Sequence, residues 1–530
     1  MTLSFSRRDF LGATLCGAVS ACGGGKLDSS GPVPEAQITG AISQIDSMAA
    51  ALMTRTGVPG VAVAVVRETP NGIQTVYAKG FGNRIAGVQG AVDADTVFQL
   101  ASMSKSIGAT VVAHQVGLGN ISWNTPVQQY LPWFALSDPA ISAQLTVGDM
   151  YAHRSGLPGQ AGDLLEEVGF YQLEILEKLS LLKLDPAPFR TKYAYSNFGM
   201  TTGGMTVAAA AQPAKPSEPV DWSDQWAKLS DEVLYQPLGM TRTSSSFPVL
   251  ETRSNRAFPH VPISPKSTTW RRCEIREPDA QSPAAGVTSS VNDIGRWLAM
   301  LLGKGVFGGK QVVNGAALGT ALIPQVNRPS REGAPASYYG YGFGISSTSS
   351  GRVTYSHSGA FILGVATSYM VVPSLGIAIV VLTNGYPQGV PETLIAQFFD
   401  LVEYGSYQQD WWAAISPGFV ALVGPGGSLA GVPRPISPQP AGDLSAFTGT
   451  FKNAFYDELQ VTQDNGVLVL TLGRKAHPMR LTHWDGPVFG WLPDNDGEDT
   501  GSLYKVEFSG AQVTLEYFNS DGMGTFLRSV

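Results

Sequence analysis

The sequence predicts an α+β protein in three parts: an antiparallel sheet, a helical subdomain beside it, and a small all-β barrel at the C-terminal end. Three observations carry that expectation. Short strand-like runs occur near residue 60 and again between about 340 and 384, with helix-and-loop sequence between them, so one sheet is assembled from the two ends of a long segment. A Gly-, Pro- and Ser-rich stretch then breaks the pattern. Beyond it, residues 444–530 hold only β-type runs, punctuated by turn residues about every 8 to 12 positions, which is the spacing of a small barrel or sandwich.

Taken in order, residues 1–22 read as an export signal. Arg7 and Arg8 precede "FLGATLCGAVSA", an apolar stretch too short to span a bilayer. The paired arginines resemble a twin-arginine signal. The stretch ends in Val19-Ser20-Ala21-Cys22, which resembles a bacterial lipobox and implies that Cys22 is lipidated; simple cleavage after "VSA" is the other reading. Both export the protein, and the first makes it a periplasmic or outer-membrane-anchored lipoprotein that meets the membrane through its lipid. Residues 23–37 read as a linker, 38–408 as the main domain, 409–443 as a second linker and 444–530 as the barrel.

Within the main domain, "ITGAISQIDSMAAALMTRTG" has the apolar spacing of an amphipathic helix and stops at Gly57. "VAVAVV" and "TVYAKGFG", separated by Asn71-Gly72, read as a hairpin. Residues 102–118 read as a helix, and so does "SVNDIGRWLAMLLGKG", with a cap at Ser290 or Asn292. "YGYGFGIS", "VTYSHSG", "VATSYMVV" and "GIAIVVLTN" are strands, and "PETLIAQFFDLV" is a closing helix. In the last domain Tyr517 and Asn519 share a strand face and read as sheet decoration.

Composition excludes several functions. A net charge of −7 without any Lys/Arg-rich run argues against a nucleic-acid partner. Cys273 is the one cysteine outside the leader, so no disulfide framework is possible, and it reads as a small buried hydrophobe. No C-x-x-C, H-E-x-x-H, phosphate-cradling G-x-x-x-x-G-K or G-x-S-x-G occurs, so no metal or cofactor is expected.

Three S-x-x-K matches compete for a catalytic role. Ser180 and Lys183 sit in a run with helical periodicity and read as a surface pair. Ser502 and Lys505 lie in alternating, strand-like sequence, where they face opposite sides. Ser102 differs: it follows the extended run "TVFQLA" and opens a helix, so Lys105 at i+3 shares its face and reaches the hydroxyl. A lysine desolvated in such a place can lose its proton and act as a base.

Partners follow in order: Tyr195 and Asn197 in "KYAYSNFG", then His357 and Gly359 in "TYSHSGAF", read as the head of a strand. With these residues the chain resembles the serine hydrolases of the β-lactamase and penicillin-binding fold, whose pattern is S-x-x-K, Y-x-N, then K-x-G or H-x-G. "GVPGVAVAVV", "YAHRSGLPG", "SPAAGVTSSVNDIGRWL" and "GIAIVVLTNG" look alike too, over about residues 38–405. "FTGTFKNAFYDELQV" and "LTHW" resemble the lipocalin-like domain that follows this fold in some serine peptidases. The resemblance implies Ser102 as acylating nucleophile, Lys105 and Tyr195 as the proton-handling pair with the acylation base left open between them, and Asn197 as a support for Lys105 and a substrate amide. It further implies that His357 lines the cleft and donates to Tyr195 or substrate, and that the N–H groups of Ser102 and Ala360 form the oxyanion hole. The expected activity is peptidase or amidase action on small peptides. A carboxylesterase, a β-lactamase and a catalytically silent binding lipoprotein are the alternatives. Histidine where class C β-lactamases carry lysine removes a permanent cation and weighs against β-lactam hydrolysis.

Overall fold

A computed structural model describes residues 31–212, 220–264, 267–329, 336–493 and 501–529. Arg7, Arg8 and Cys22 lie outside the described residues.

The large sheet has eight strands. They are β1 (Gly60–Thr69), β2 (Gly72–Gly82), β3 (Val326–Arg328), β4 (Ser337–Tyr339), β5 (Gly344–Ser347), β6 (Val353–Phe361), β7 (Val365–Val372) and β8 (Ile377–Thr383). Their spatial order is β2-β1-β8-β7-β6-β5-β4-β3. β1 pairs antiparallel with β2 on one side and with β8 on the other, so the two ends of the segment meet in the sheet interior, as expected.

Both faces of this sheet are covered, which is why "VAVAVV" is apolar at every position rather than alternating. Val61, Val63 and Val65 pack under the helices α1 (Glu35–Ser43) and α2 (Ile45–Thr56). Ala62, Ala64 and Val66 face the opposite layer. That layer includes α3 (Ser104–Gly117) and, further along the chain, a helix over Val291–Leu302 that begins at the expected cap Ser290. The helical subdomain contributes α4 (Asp163–Glu167), α5 (Gln172–Lys178) and α6 (Asn197–Ala211), and α7 is the Val291–Leu302 helix. α8 (Val390–Tyr404) closes the domain on the same face as α1 and α2.

The segment read as a second linker is partly helical. α9 (Trp411–Val423) lies within residues 409–443, capped by the Asp410 side chain on Ala413 N. Trp411, Ile415 and Phe419 are buried, and the Trp411 indole N–H donates to Asp400 Oδ2 at 2.5 Å. The Pro417-Gly418 pair inside it, a helix-breaking signal, masks this periodicity in the sequence.

The C-terminal part is a nine-stranded, nearly closed sheet. Its strands are β9 (Gly449–Asn453), β10 (Asp457–Asp464), β11 (Val467–Leu472), β12 (Pro478–Arg480), β13 (Thr482–Asp485), β14 (Val488–Trp491), β15 (Tyr504–Ser509), β16 (Gln512–Leu515) and β17 (Thr525–Arg528). The order β12-β11-β10-β9-β17-β16-β15-β14-β13 leaves as its two edges strands that are adjacent in the chain, so the edges end up beside each other. Its interior is not separate from the helices: Phe451, Leu470 and Phe526 belong to one apolar cluster with Leu164, Leu165 and Phe198. Tyr517 is not sheet decoration. It sits on a 3₁₀ turn, and its hydroxyl donates to Glu167 of α4 at 2.9 Å.

α8 carries a buried acid, Glu392, in its first turn, with no hydrogen-bond partner on Oε2 among the described residues. Desolvation pushes its carboxyl up to about 7, and a hydrogen bond from Ser358 offsets this only partly. The folded value exceeds the unfolded one, so the stabilisation is complete below about pH 4.5 and is lost as pH rises through about 7. Glu392→Gln, which keeps the neutral shape, is therefore expected to match the native chain in urea melts at pH 4. At pH 8 it should be the more stable by on the order of 3 kcal/mol.

Candidate active site

Ser102 lies on a 3₁₀ turn, Ala101–Met103, that runs directly into α3. Ala101 has φ +47°, a left-handed conformation that costs a non-glycine residue about 1 kcal/mol or more and persists only where surroundings enforce it. They do. Leu100 N donates to Val287 O at 2.9 Å, Val287 N donates to Ser104 Oγ at 3.0 Å, and Thr367 Oγ1 donates to Leu100 O at 2.8 Å.

Lys105, one helical turn on, is fully buried. Its Nζ lies 3.1 Å from Ser102 Oγ, 2.7 Å from Asn197 Oδ1 and 3.0 Å from Ala284 O. The carbonyl of Ala284 is free to accept because the residue sits in a four-residue helix, Ser282–Ala285, whose last carbonyls have no helical partner. Tyr195 places its ring centroid 4.6 Å from Nζ and its hydroxyl 2.5 Å from Ser102 Oγ. Asn197 is the first residue of α6, held there by the Ser196 cap on Gly199 N. Its Nδ2 donates to Asp163 Oδ2 at 2.9 Å, which fixes the amide so that Oδ1 faces Lys105.

Asp163 had no signal in the sequence. Burial, then the neighbouring Glu166 charge, pushes its carboxyl up to about 7. Glu166 pairs with Arg276 NH2 at 2.5 Å and also accepts from Gln281 Nε2. This cluster joins residues about 110 positions apart, a separation at which no motif connects them.

β6 forms the opposite wall. His357 is in the middle of it, not at its head, because the strand continues straight to Phe361. Nor does His357 offer a proton to Tyr195. Nδ1 lies 2.7 Å from Ser358 O, which can only accept, so the ring proton is there; Nε2 then accepts from Tyr339 OH at 2.8 Å. Desolvation, with the Lys105 charge adding to it, pushes the imidazole down to about 3, and the ring is neutral at any ordinary pH. A second histidine, His153, is buried with φ +55°, its ring centroid 4.6 Å from that of Tyr195 and 4.9 Å from that of Tyr339. It lies in "YAHRSGLPG", a stretch whose chemistry the sequence does not disclose.

The other two serines stand apart. Ser180 is half-buried and donates to Glu177 O, while Ser502 precedes β15 rather than lying in it and accepts from Gly426 N. Among the described residues no cluster of His, Cys, Asp and Glu could hold a metal ion, and no helix is long and apolar enough to cross a membrane. Cys273 is buried.

The arrangement unites a hydroxyl, a desolvated amine and a phenol within one hydrogen-bond network, a constellation suited to nucleophilic acyl transfer. The Beta-lactamase family profile matches residues 45–398, and a Domain of unknown function (DUF3471) profile matches residues 433–521. The chain is 23% identical over 261 residues to the Unguisins hydrolase ungD of Aspergillus violaceofuscus, covering 46% of this chain and 42% of that relative, less than half its length. It is 27% identical over 356 residues to Penicillin-binding protein 4 of Amycolatopsis lactamdurans, covering 66% and 86% respectively. The octameric penicillin-binding protein homologue from Pyrococcus abyssi shares the fold, with a TM-score of 0.56 at 17% identity over 90% of this chain and 98% of that one.

Gly359 explains why β6 can pass so close. A Cβ at this position would fall 2.1 Å from Leu100 O and 2.9 Å from Ser102 N. Gly359→Ala is therefore expected to force the strand off the Ser102 turn and to lower stability by roughly 1–3 kcal/mol, the range for overpacking a core, as read from denaturant melts.

Proposed function

This chain belongs to the Beta-lactamase family and is a serine hydrolase; from that premise we propose that Ser102 is its acylating nucleophile and that its natural substrates are small peptides or their amides. One observation carries the reading: Tyr195 OH and Lys105 Nζ both reach Ser102 Oγ, at 2.5 and 3.1 Å.

Two of the three neighbours of Nζ, Asn197 Oδ1 and Ala284 O, can only accept, whereas the third is a hydroxyl. At rest an ammonium donates to all three. After losing one proton the amine still serves both carbonyls and turns its lone pair to the Ser102 hydroxyl, and in that state Lys105 acts as the acylation base. Ser102 Oγ attacks the carbonyl carbon, and the oxyanion is met by the N–H groups of Ser102 and of the half-buried Ala360, beside which Gly359 brings the strand. As the C–N bond breaks, Tyr195 gives its proton to the departing nitrogen and recovers one from Lys105. Water then hydrolyses the ester by the reverse relay.

Amines leave poorly without that proton, while activated phenolates hardly need it. A phenol held at 2.5 Å from the nucleophile therefore favours amides over activated esters. His357, neutral and engaged on both nitrogens, does not itself supply a cation for a β-lactam carboxylate.

The leader supports export as a lipoprotein on Cys22. The anchored form is expected to fractionate with membranes and Cys22→Ala with the soluble periplasm; native protein found wholly soluble would favour plain signal cleavage.

Ser102→Ala is expected to lower kcat by ~10⁴-fold or more and to abolish fluorophosphonate labelling. Tyr195→Phe should cost far more on a peptide than on p-nitrophenyl acetate. Equal losses on both, or a native enzyme faster on unactivated esters than on any peptide, would favour the carboxylesterase reading.

A further inference from the structure

We infer that Arg276 is an anchor for an anionic group carried on the acyl half of the substrate, so that this enzyme prefers acyl donors bearing a carboxylate a few bonds from the scissile carbonyl. The inference rests on the acyl-transfer reading above and adds a substrate class to it.

The cleft has two chemically different ends along β6. At the His357 end stand Tyr339, His153 and Tyr195, grouped by ring contacts and by the Tyr339–His357 hydrogen bond. Tyr195 is the proton donor for the leaving group, so the leaving group lies at that end. The acyl remainder points the other way, toward Phe361, the last residue of β6. Phe361 packs in one apolar cluster with Ala101 and Ala285, which flank Ser102 and Ala284 in the chain, so its ring is part of the floor next to the nucleophile.

Arg276 covers that ring, with Cζ 4.8 Å from the centroid. Its position is set independently of any substrate. The main-chain carbonyl accepts from Gln99 Nε2 at 2.7 Å, and one amino group reaches Glu166 Oε2 at 2.5 Å. Glu166 is steadied in turn by Gln281. Of the five N–H donors of the planar guanidinium the Glu166 contact uses one amino group, and the side chain keeps 35% exposure. A partly exposed guanidinium fixed on an aromatic face, with donors beyond the one given to Glu166, is preorganised to take a carboxylate.

The other cations near the cleft are not available in this way. Lys105 is fully buried, and Arg328, behind Tyr193 and Tyr339 at the His357 end, is buried as well. Among the described residues, the position of the family's lysine is held by the neutral His357 and the nearby Arg328 is buried, whereas the partly exposed Arg276 stands at the acyl end.

The test compares two p-nitroanilides of equal chain length, glutaryl and pentanoyl, which differ in a terminal carboxylate against a methyl group. With the full-length protein, kcat/KM is expected to favour glutaryl by on the order of ten- to a hundredfold, the range of one charge-assisted hydrogen bond. Arg276→Gln should collapse that ratio toward one, and Arg276→Lys should restore part of it. Because the readout is a ratio within each variant, a general loss from leaving Glu166 unpaired does not imitate the effect, and Arg276→Gln combined with Glu166→Gln keeps the neutral pair as a control. Turnover without a glutaryl preference, or a preference that survives Arg276→Gln, overturns the inference and leaves the hydrolase reading intact. Failure of both substrates together with an unlabelled Ser102 overturns both.

Discussion

The structure is organised around one demand: an amine buried without water must find hydrogen-bond partners inside the protein. An unmatched polar group there would cost roughly 1–3 kcal/mol or more. Lys105 meets the demand from three separate stretches of chain, the Ser102 turn, the start of α6 at Asn197 and the short helix holding Ala284. Each stretch must be held still for the amine to be satisfied. That accounts for the strained Ala101, clamped through Leu100, for the Ser196 cap on α6 and for the Asp163 carboxyl behind Asn197.

The sheet supplies the rigidity. β1 and β8, neighbours in space and some 300 residues apart in sequence, are apolar on both faces and lock the ends of the domain together. Helices on one face and the active-site layer on the other leave β6 straight as far as Phe361, and Gly359 is the position where its backbone slides against Leu100 and Ser102. The catalytic wall is therefore a strand of the main sheet rather than a loop, which suits a site that relies on fixed donors rather than closure.

Much of this could be read from the residues alone. The hairpin at Asn71-Gly72, the sheet built from two ends and the C-terminal all-β unit follow from periodicity and turn chemistry, and three motifs point to Ser102, Lys105, Tyr195 and Asn197. What escaped has physical causes. The Ala284 contribution is a main-chain carbonyl, which any residue possesses. Asp163, Glu166 and Arg276 meet only after folding, and isolated charges in a sequence look like surface. The resemblance implied that His357 donates to Tyr195 or substrate, yet Ser358 O and Tyr339 occupy both its nitrogens. α9 was hidden by Pro417-Gly418, and Tyr517 by the assumption that strand-like sequence faces only its own sheet.

The barrel's seat on the helices is made partly of main chain. Gly473, at φ +66°, lies so near Val168 O that a Cβ would fall 2.3 Å from it, and Lys475 N donates to that same oxygen at 3.2 Å. Below this seam the two parts share one apolar interior. The barrel is then less an appended module than the missing outer shell of the helical subdomain. Leu164, Leu165 and Phe198 are packed in one apolar cluster with the barrel's own core, and a shared interior of this kind couples the melting of the helices beside the nucleophile to that of the barrel.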